Sequence, residues 1–153
     1  MSLKSRHLFT MTTRIDPLAR QQIGKTAHGH RVIVQVAEGR FEGDKLKGIV
    51  LPGARDWALI RLDGVMEVDV RLTLKTHDDA LIYVTYTGLV LEARRALAER
   101  ERGITPDPAT TYFRTTPRFE TGDERYAWLN TMLAVGVGTL PPDGVNYDIY
   151  EIL

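Results

Sequence analysis

The stretch that most limits what this chain can become is "VMEVDVRLTLKT", residues 65–76. Met66, Val68, Val70, Leu72 and Leu74 take every second position, and Glu67, Asp69, Arg71, Thr73 and Lys75 fill the places between. A repeat of two fits an extended strand with one apolar and one polar face. Before it, "DWALIRLDG" reads as a strand ending in an Asp63-Gly64 turn, a pair suited to the positive φ angles of tight hairpins. After it, "HDDA" turns the chain into "LIYVTYTGLVL", rich in β-branched and aromatic residues. Residues 56–91 therefore predict a three-stranded antiparallel meander.

Further strands are expected in "HLFTMTTRI", "RVIVQVAEG", "LKGIVLP", "MLAVGVGTL" and "VNYDIYEIL". One segment departs from the pattern. "EARRALAERERG", Glu92 to Gly103, spaces Arg95 and Glu99 four apart and ends on glycine, which predicts a surface helix over Ala93–Arg102. A second short helical turn is expected at 123–130. The chain has 153 residues and neither repeat nor linker. It is read as one all-β domain spanning residues 1–153. The expected form is a closed or nearly closed antiparallel β-barrel of about nine strands with one short surface helix; a β-sandwich is the alternative.

Composition excludes several function classes. Basic and acidic residues balance at 20 each, so no global field draws the chain to nucleic acid or to acidic membranes. With no cysteine, disulfides, thiolate metal sites and cysteine nucleophiles are absent. The only serines, Ser2 and Ser5, lie in the amino-terminal tail, which leaves the body of the fold without a serine nucleophile. No segment approaches the ~20 apolar residues of a membrane helix, and no apolar run has signal-peptide length. A cytoplasmic protein is expected, with neither nucleic acid nor membrane as partner. His28 and His30 form a close pair, but no acid follows at a spacing that would complete a metal site. No metal and no cofactor are expected. "GVGTLPPDG", residues 136–144, has prolines where a phosphate-binding helix should start. Gly136 and Gly138 are instead expected to mark close backbone approach inside the barrel.

Four longer stretches, "GRFEGDKLKGIVLPGARDW", "VMEVDVRLTLKTHDDALIYVTYTG", "YFRTTPRFET" and "YAWLN", resemble a bacterial and fungal family known as domain of unknown function 3237. The resemblance runs from Leu8 to Leu153. It departs locally at Gly53-Ala54-Arg55, where a second glycine is expected. It implies a small all-β barrel and carries no settled activity.

The residues themselves suggest a site. In an extended "YFRTTPRFET", residues 112–121, Tyr112, Arg114, Thr116 and Arg118 share one face, and Phe113, Thr115, Pro117 and Phe119 the other. Pro117 donates no ladder hydrogen bond, so the run is expected to kink at a sheet edge or barrel rim. Arg71 and Arg114 would clamp a carboxylate or enolate in forked hydrogen bonds. Asp69, two residues from Arg71 on one face, would serve as general base, and Tyr83 would donate a hydrogen bond to developing negative charge. Asp69, Arg71, Tyr83 and Arg114 form the candidate catalytic set. Trp57, Tyr112 and Trp128, as flat walls, and Asn130, as a two-way hydrogen-bonding group, form the candidate ligand-binding set.

Against this stands a plainer arrangement. The charged face of 65–76 would look into water, and the arginines of 112–121 would pair with surface acids. The leading reading is a barrel that binds a small organic anion, with cofactor-free isomerisation, cyclisation or decarboxylation as its chemistry if it catalyses. A non-catalytic ligand carrier and a homodimeric interaction module are the alternatives, the homodimer resting on the prevalence of twofold assemblies.

Overall fold

The alternation of residues 65–76 becomes one stave of a closed barrel. The structure, a computed structural model, describes residues 2–153. Two long strands, β1 (Ser5–Thr26) and β2 (Gly29–Glu42), are followed by β3 (Lys47–Val50) and β4 (Arg55–Ile60). The chain continues through β5 (Met66–Thr76), β6 (Leu81–Val90), helix α1 (Ala93–Glu101), β7 (Phe113–Thr115) and β8 (Arg118–Glu120). A 3-10 helix, Glu124–Thr131, precedes β9 (Ala134–Thr139) and β10 (Gly144–Ile152).

Eight strands pair antiparallel in the order β1-β2-β4-β5-β6-β7-β9-β10, and β10 returns to β1. Closure removes the free edges that an open sheet would expose. β3 bridges β2 and β5, and β8 lies on β6. The expected meander is the run β4–β5–β6.

The apolar face of β5 points inward: Met66, Val68, Val70, Leu72 and Leu74 are all buried. Its charged face therefore looks outward. Strand register divides the interior into two levels, because Leu74 pairs with Ile82 at one end of β5 and Met66 with Val90 at the other. Large rings fill the first level. Phe9 stands edge-to-face against Phe41 at 5.4 Å and Phe119 at 6.0 Å, in the geometry that aromatic quadrupoles favour. At the second level the inward positions are smaller, among them Ala58, Val68 and Val70.

Instead of kinking, the segment 112–121 keeps one register along β6, with no bulge at its proline, and reaches a sheet edge where β8 pairs with β6 alone. Thr115 pairs with Gly88 and Arg118 with Thr85, and between them the Thr116 N–H donates to the Thr87 carbonyl at 2.9 Å while Pro117 has no N–H to give. Phe113, Thr115, Pro117 and Phe119 are buried, and the polar face is external. Helix α1 buries Ala93 and Ala96 and packs Leu97 against the core at the second level, across the barrel mouth. At the opposite end the carboxylate of Asp78 accepts from the Thr76 hydroxyl at 2.5 Å, Tyr126 at 2.8 Å and Arg125 at 3.0 Å. That cluster ties the 3-10 helix to the β5–β6 turn. Among the described residues no helix is long and apolar enough to cross a membrane.

Gly138 of β9 is required by a neighbour. A Cβ there would strike the ring of Phe113, which crosses the strand at that point. Gly138→Ala is expected to cost about 1–3 kcal/mol by overpacking, measured by chemical denaturation. Adding Phe113→Leu, which removes the obstructing ring, should make that glycine substitution cost measurably less than in the parent.

Candidate functional site

Strand β4, "RDWALI", alternates so that Asp56, Ala58 and Ile60 face the interior while Trp57 faces out. A carboxyl group is thereby carried into an apolar cavity of about 330 Å³ at the second level of the barrel. This size lies at the lower end of the range for small-molecule pockets, about 300–1,000 Å³. Valines 32, 34, 68 and 70 form much of the wall. Arg20, Gln22 and His30, from the ribbon that β1 and β2 extend beyond the barrel, line the mouth with Arg100 and Glu101 of α1.

What holds an acid in such surroundings is a gap in the sheet. Asp56 pairs with Val70 and Leu59 with Glu67, but the Trp57–Asp69 and Ala58–Val68 positions between them do not pair. The Asp69 N–H donates instead to the Asp56 carboxyl at 2.9 Å, and the Trp57 carbonyl accepts from the Arg31 guanidinium at 2.7 Å. Two groups stranded by the opened ladder are thus served by side chains.

Burial pushes the Asp56 pKa up from 3.8 to about 7; the Asp69 N–H opposes the shift, the Asp69 carboxylate adds to it, and the Arg31 charge opposes it. Tyr86 and Tyr147 lie beside it with ring centroids 5.3 Å apart. Burial raises both phenol pKa values, and the Asp56 charge raises them further. Asp56, Tyr86 and Tyr147 form one electrostatically coupled cluster whose members are protonated at neutral pH or titrate there. Such a cluster can donate hydrogen bonds to a bound oxygen, and Asp56 can take or give a proton.

The residues singled out from sequence divide between other places. Trp57, Asp69, Tyr112 and Arg114 line a groove on the outside of the barrel, with a volume of about 840 Å³. Arg71 adjoins it: its guanidinium sits 5.4 Å from the Trp57 ring and 3.3 Å from an Asp69 carboxylate oxygen. Asp69 and Arg71 are both half-exposed, so the charged face of β5 meets solvent and not the cavity. Arg114 donates to the Phe113 carbonyl at 2.9 Å and stands 5.0 Å from the Tyr112 ring.

Three candidates lie outside both the groove and the cavity. Tyr83 is exposed on β6 opposite Glu120. Trp128 lies under the Lys45 ammonium at 4.9 Å. Asn130 spends its two-way capacity on the Thr121 backbone, accepting at 2.8 Å and donating at 2.9 Å. His28 and His30 also separate, the first in the β1–β2 turn and the second against Gln22 at 3.2 Å.

This architecture is shared with other proteins. Residues 3–152 match the protein family described as "Protein of unknown function (DUF3237)". The chain belongs to this family. "UPF0311 protein RPA1785" of Rhodopseudomonas palustris is 34% identical over 152 residues, covering 99% of this chain and 98% of that protein. The crystal structure of RPA1785 matches with a TM-score of 0.91 over 100% of this chain and 99% of that one. A β-barrel-like protein from Acinetobacter baumannii matches at 31% identity with a TM-score of 0.85, covering 100% and 98%. A structure described as an enzyme from Penicillium herquei has a TM-score of 0.71 at 19% identity over 100% and 96%, a likeness of fold alone.

Asp56 and its two tyrosines were not among the sequence candidates. The available signal is the phase of two strands: Ile82-x-Val84-x-Tyr86 and Val145-x-Tyr147-x-Ile149 each place a tyrosine on a face otherwise apolar. Because native Asp56 keeps its proton to about pH 7 and an unfolded aspartate loses it near 3.8, the folded state binds more protons between those values. The contribution of Asp56 therefore falls as pH rises through that window, by roughly 4 kcal/mol at most. Asp56→Asn, which keeps the acceptor for the Asp69 N–H, should melt several degrees above the parent at pH 8. The difference should shrink towards pH 4, as read by thermal denaturation across pH.

Proposed function

We propose that this protein binds a small, mainly apolar organic anion inside the barrel and acts on it by cofactor-free acid–base chemistry of the isomerase, cyclase or lyase kind. The observation that carries the reading is a carboxyl buried in the wall of an apolar cavity, where desolvation pushes its pKa up to about 7. A proton-moving group works best when its pKa lies near the working pH, and burial is the usual means of bringing a carboxyl there. Asp56 takes a proton from a carbon or hydroxyl of the ligand and returns it elsewhere on the same molecule, so no external reactant is needed. The Tyr86 and Tyr147 phenols, held neutral by burial, hydrogen-bond the oxygen on which negative charge grows. A barrel of the same fold described as an enzyme, that from Penicillium herquei, lends support to chemistry on such a scaffold.

A carrier without turnover is the second reading, favoured by a wall that is mostly aliphatic and has few groups to act on a substrate. The outer groove is a further candidate binding face, with Trp57, Tyr112 and Arg114 as its aromatic and cationic elements, Asp69 and Arg71 beside them. Its carboxylate, Asp69, is half-exposed and beside a guanidinium. This reading therefore gives proton transfer to Asp56.

A thermal-shift screen of aromatic and aliphatic organic acids, followed by mass spectrometry and NMR of each stabilising compound after incubation, separates the cases. An enzyme returns a rearranged or shortened product, and Asp56→Asn should lower that rate by about 100-fold or more while still binding. If Asp56 acts as base, the rate should fall as pH drops below about 7. A compound that stabilises the parent and is returned unchanged at every pH identifies a carrier. Stabilisation that survives filling the cavity with Ala58→Trp would remove the barrel interior from the account.

A further inference from the structure

A second polar cluster sits at the cavity mouth, apart from Asp56. Arg100, in the last turn of α1, is fixed in place: its Nε donates to the Pro141 carbonyl at 2.8 Å and its Nη2 to the Gly144 carbonyl at 2.9 Å. These partners orient the guanidinium but supply no counter-charge. Arg14, Arg61, Arg95 and Arg125, by contrast, are each engaged by a carboxylate. Among the described residues no carboxylate oxygen lies within 4.0 Å of Arg100 or of Arg20, which lines the same mouth.

Arg100 is held in an unfavourable state. Burial lowers its pKa and the Arg20 charge lowers it further, while Asp143 and Tyr147 offset this only in part. Glu101 stands exposed on the same rim. A half-buried arginine beside a second arginine, tied only to carbonyls, is stabilised by an anion that enters the cavity. The contacts to Pro141 and Gly144 leave Nη1 and one Nη2 hydrogen free, a two-pronged end that matches a carboxylate.

Depth sets the rest of the molecule. Arg100 and Asp56 both act electrostatically on Tyr147, from the mouth and from within. Four residue steps of β4 separate the inward positions of Ile60, near the mouth, and Asp56, a span of about 13 Å. The wall between is apolar, formed by Val32, Val34, Ala58, Val68 and Val145. A second negative charge at the inner end would face the Asp56 carboxyl.

Resting on the cavity reading above, we propose that Arg100, assisted by Arg20, docks the carboxylate of an amphipathic monocarboxylic acid whose apolar body runs down the barrel to Asp56. The substrate class is thereby a medium-chain or arylalkyl carboxylic acid that enters tail first and carries, towards its inner end, the hydroxyl or carbonyl oxygen that Asp56 and the two tyrosines meet.

Isothermal titration calorimetry at pH 8 tests this with octanoate and 4-phenylbutyrate against 1-octanol and 4-phenylbutanol, which share their bodies and lack the charge. The parent should bind each acid at least about tenfold more tightly than its alcohol, the preference expected of a charge-assisted pair. Arg100→Gln should abolish that preference and change alcohol binding by less than about threefold. Because Arg100 also ties down the 141–144 turn, Arg20→Gln provides a second reading. Arg20 is exposed and, among the described residues, has no ion-pair partner, so the variant's melting temperature should match the parent while the preference drops about threefold. Ala58→Trp should stop both classes of probe.

Equal binding of acid and alcohol by the parent, or a preference undiminished in Arg100→Gln, overturns the assignment; if Arg100→Gln does not fold, an undiminished preference in Arg20→Gln does so. When Ala58→Trp nevertheless blocks binding, the cavity reading survives that outcome. Acids that bind Ala58→Trp as tightly as the parent sink both, as does a parent that binds neither class.

Discussion

An eight-stranded barrel has an interior only as wide as its own inward side chains need, so the size of those side chains decides whether a level is plugged or hollow. At one level this chain sends in Phe9, Phe41 and Phe119, whose rings meet edge-to-face and are all buried. At the next it sends in alanine and valines, and the wall has too little bulk to close the space. The plug supplies the buried apolar area that holds a closed barrel together. The hollow is tolerable because the plug lies next to it. Phe113 makes the border: its ring packs on Tyr147 at 5.5 Å and occupies the space that glycine leaves at position 138.

Asp56 and Arg100 both border that hollow, and burial disfavours the charged form of each. A carboxyl in an apolar cavity costs free energy in its ionised form, and Asp56 responds by keeping its proton to about neutrality. The gap between β4 and β5 limits that cost, because the carboxyl takes the place of a backbone acceptor for Asp69. Arg100 is limited in the same way by two carbonyls of the turn into β10. In both cases the fold supplies enough hydrogen bonds to position the group and too little charge to neutralise it. Structural salt bridges are built differently, as the clasp of Arg125 by Asp78 and Asp123 on the surface shows.

Much of the fold was legible because a barrel strand must alternate. The meander of β4–β6, the helix at 93–101 and the edge position of the strand after Pro117 all follow from local rules, and Gly136 and Gly138 do mark crowded points, although side chains of Thr115 and Phe113 crowd them and not backbone. The site was less so. In "RDWALI" both phases carry apolar residues, Trp57 and Leu59 against Ala58 and Ile60, so the pattern does not say which way Asp56 points. Trp57 reads as interior by size, yet it lies outside under the Arg71 guanidinium, where its face is covered by a cation and not by the core. Arg100 reads as one more charge on a surface helix until the 141–144 turn folds over it. Trp57, Asp69, Tyr112 and Arg114 do share one groove, since β4, β5 and β7 pack their outer faces around it. Tyr83, Trp128 and Asn130 belong to elements near the plugged end and cannot reach it.

The wall between groove and cavity is a single peptide thick, and Asp69 belongs to both sides. Its N–H points inward to the Asp56 carboxyl, while its side chain points outward to Arg71. Its charge is also one of the causes that raise the Asp56 pKa. Whatever neutralises Asp69 outside, beginning with the Arg71 guanidinium, weakens that push and makes the inner carboxyl a stronger acid. Arg31 acts in the same direction: it is hydrogen-bonded to the Trp57 carbonyl at the ladder gap, and its charge favours the ionised form of Asp56. The outer face thus serves as the electrostatic setting of the inner acid even with no ligand of its own. The opened ladder is where the two meet, because a fully paired β4–β5 sheet would consume the Asp69 N–H and leave Asp56 without the contact that orients it.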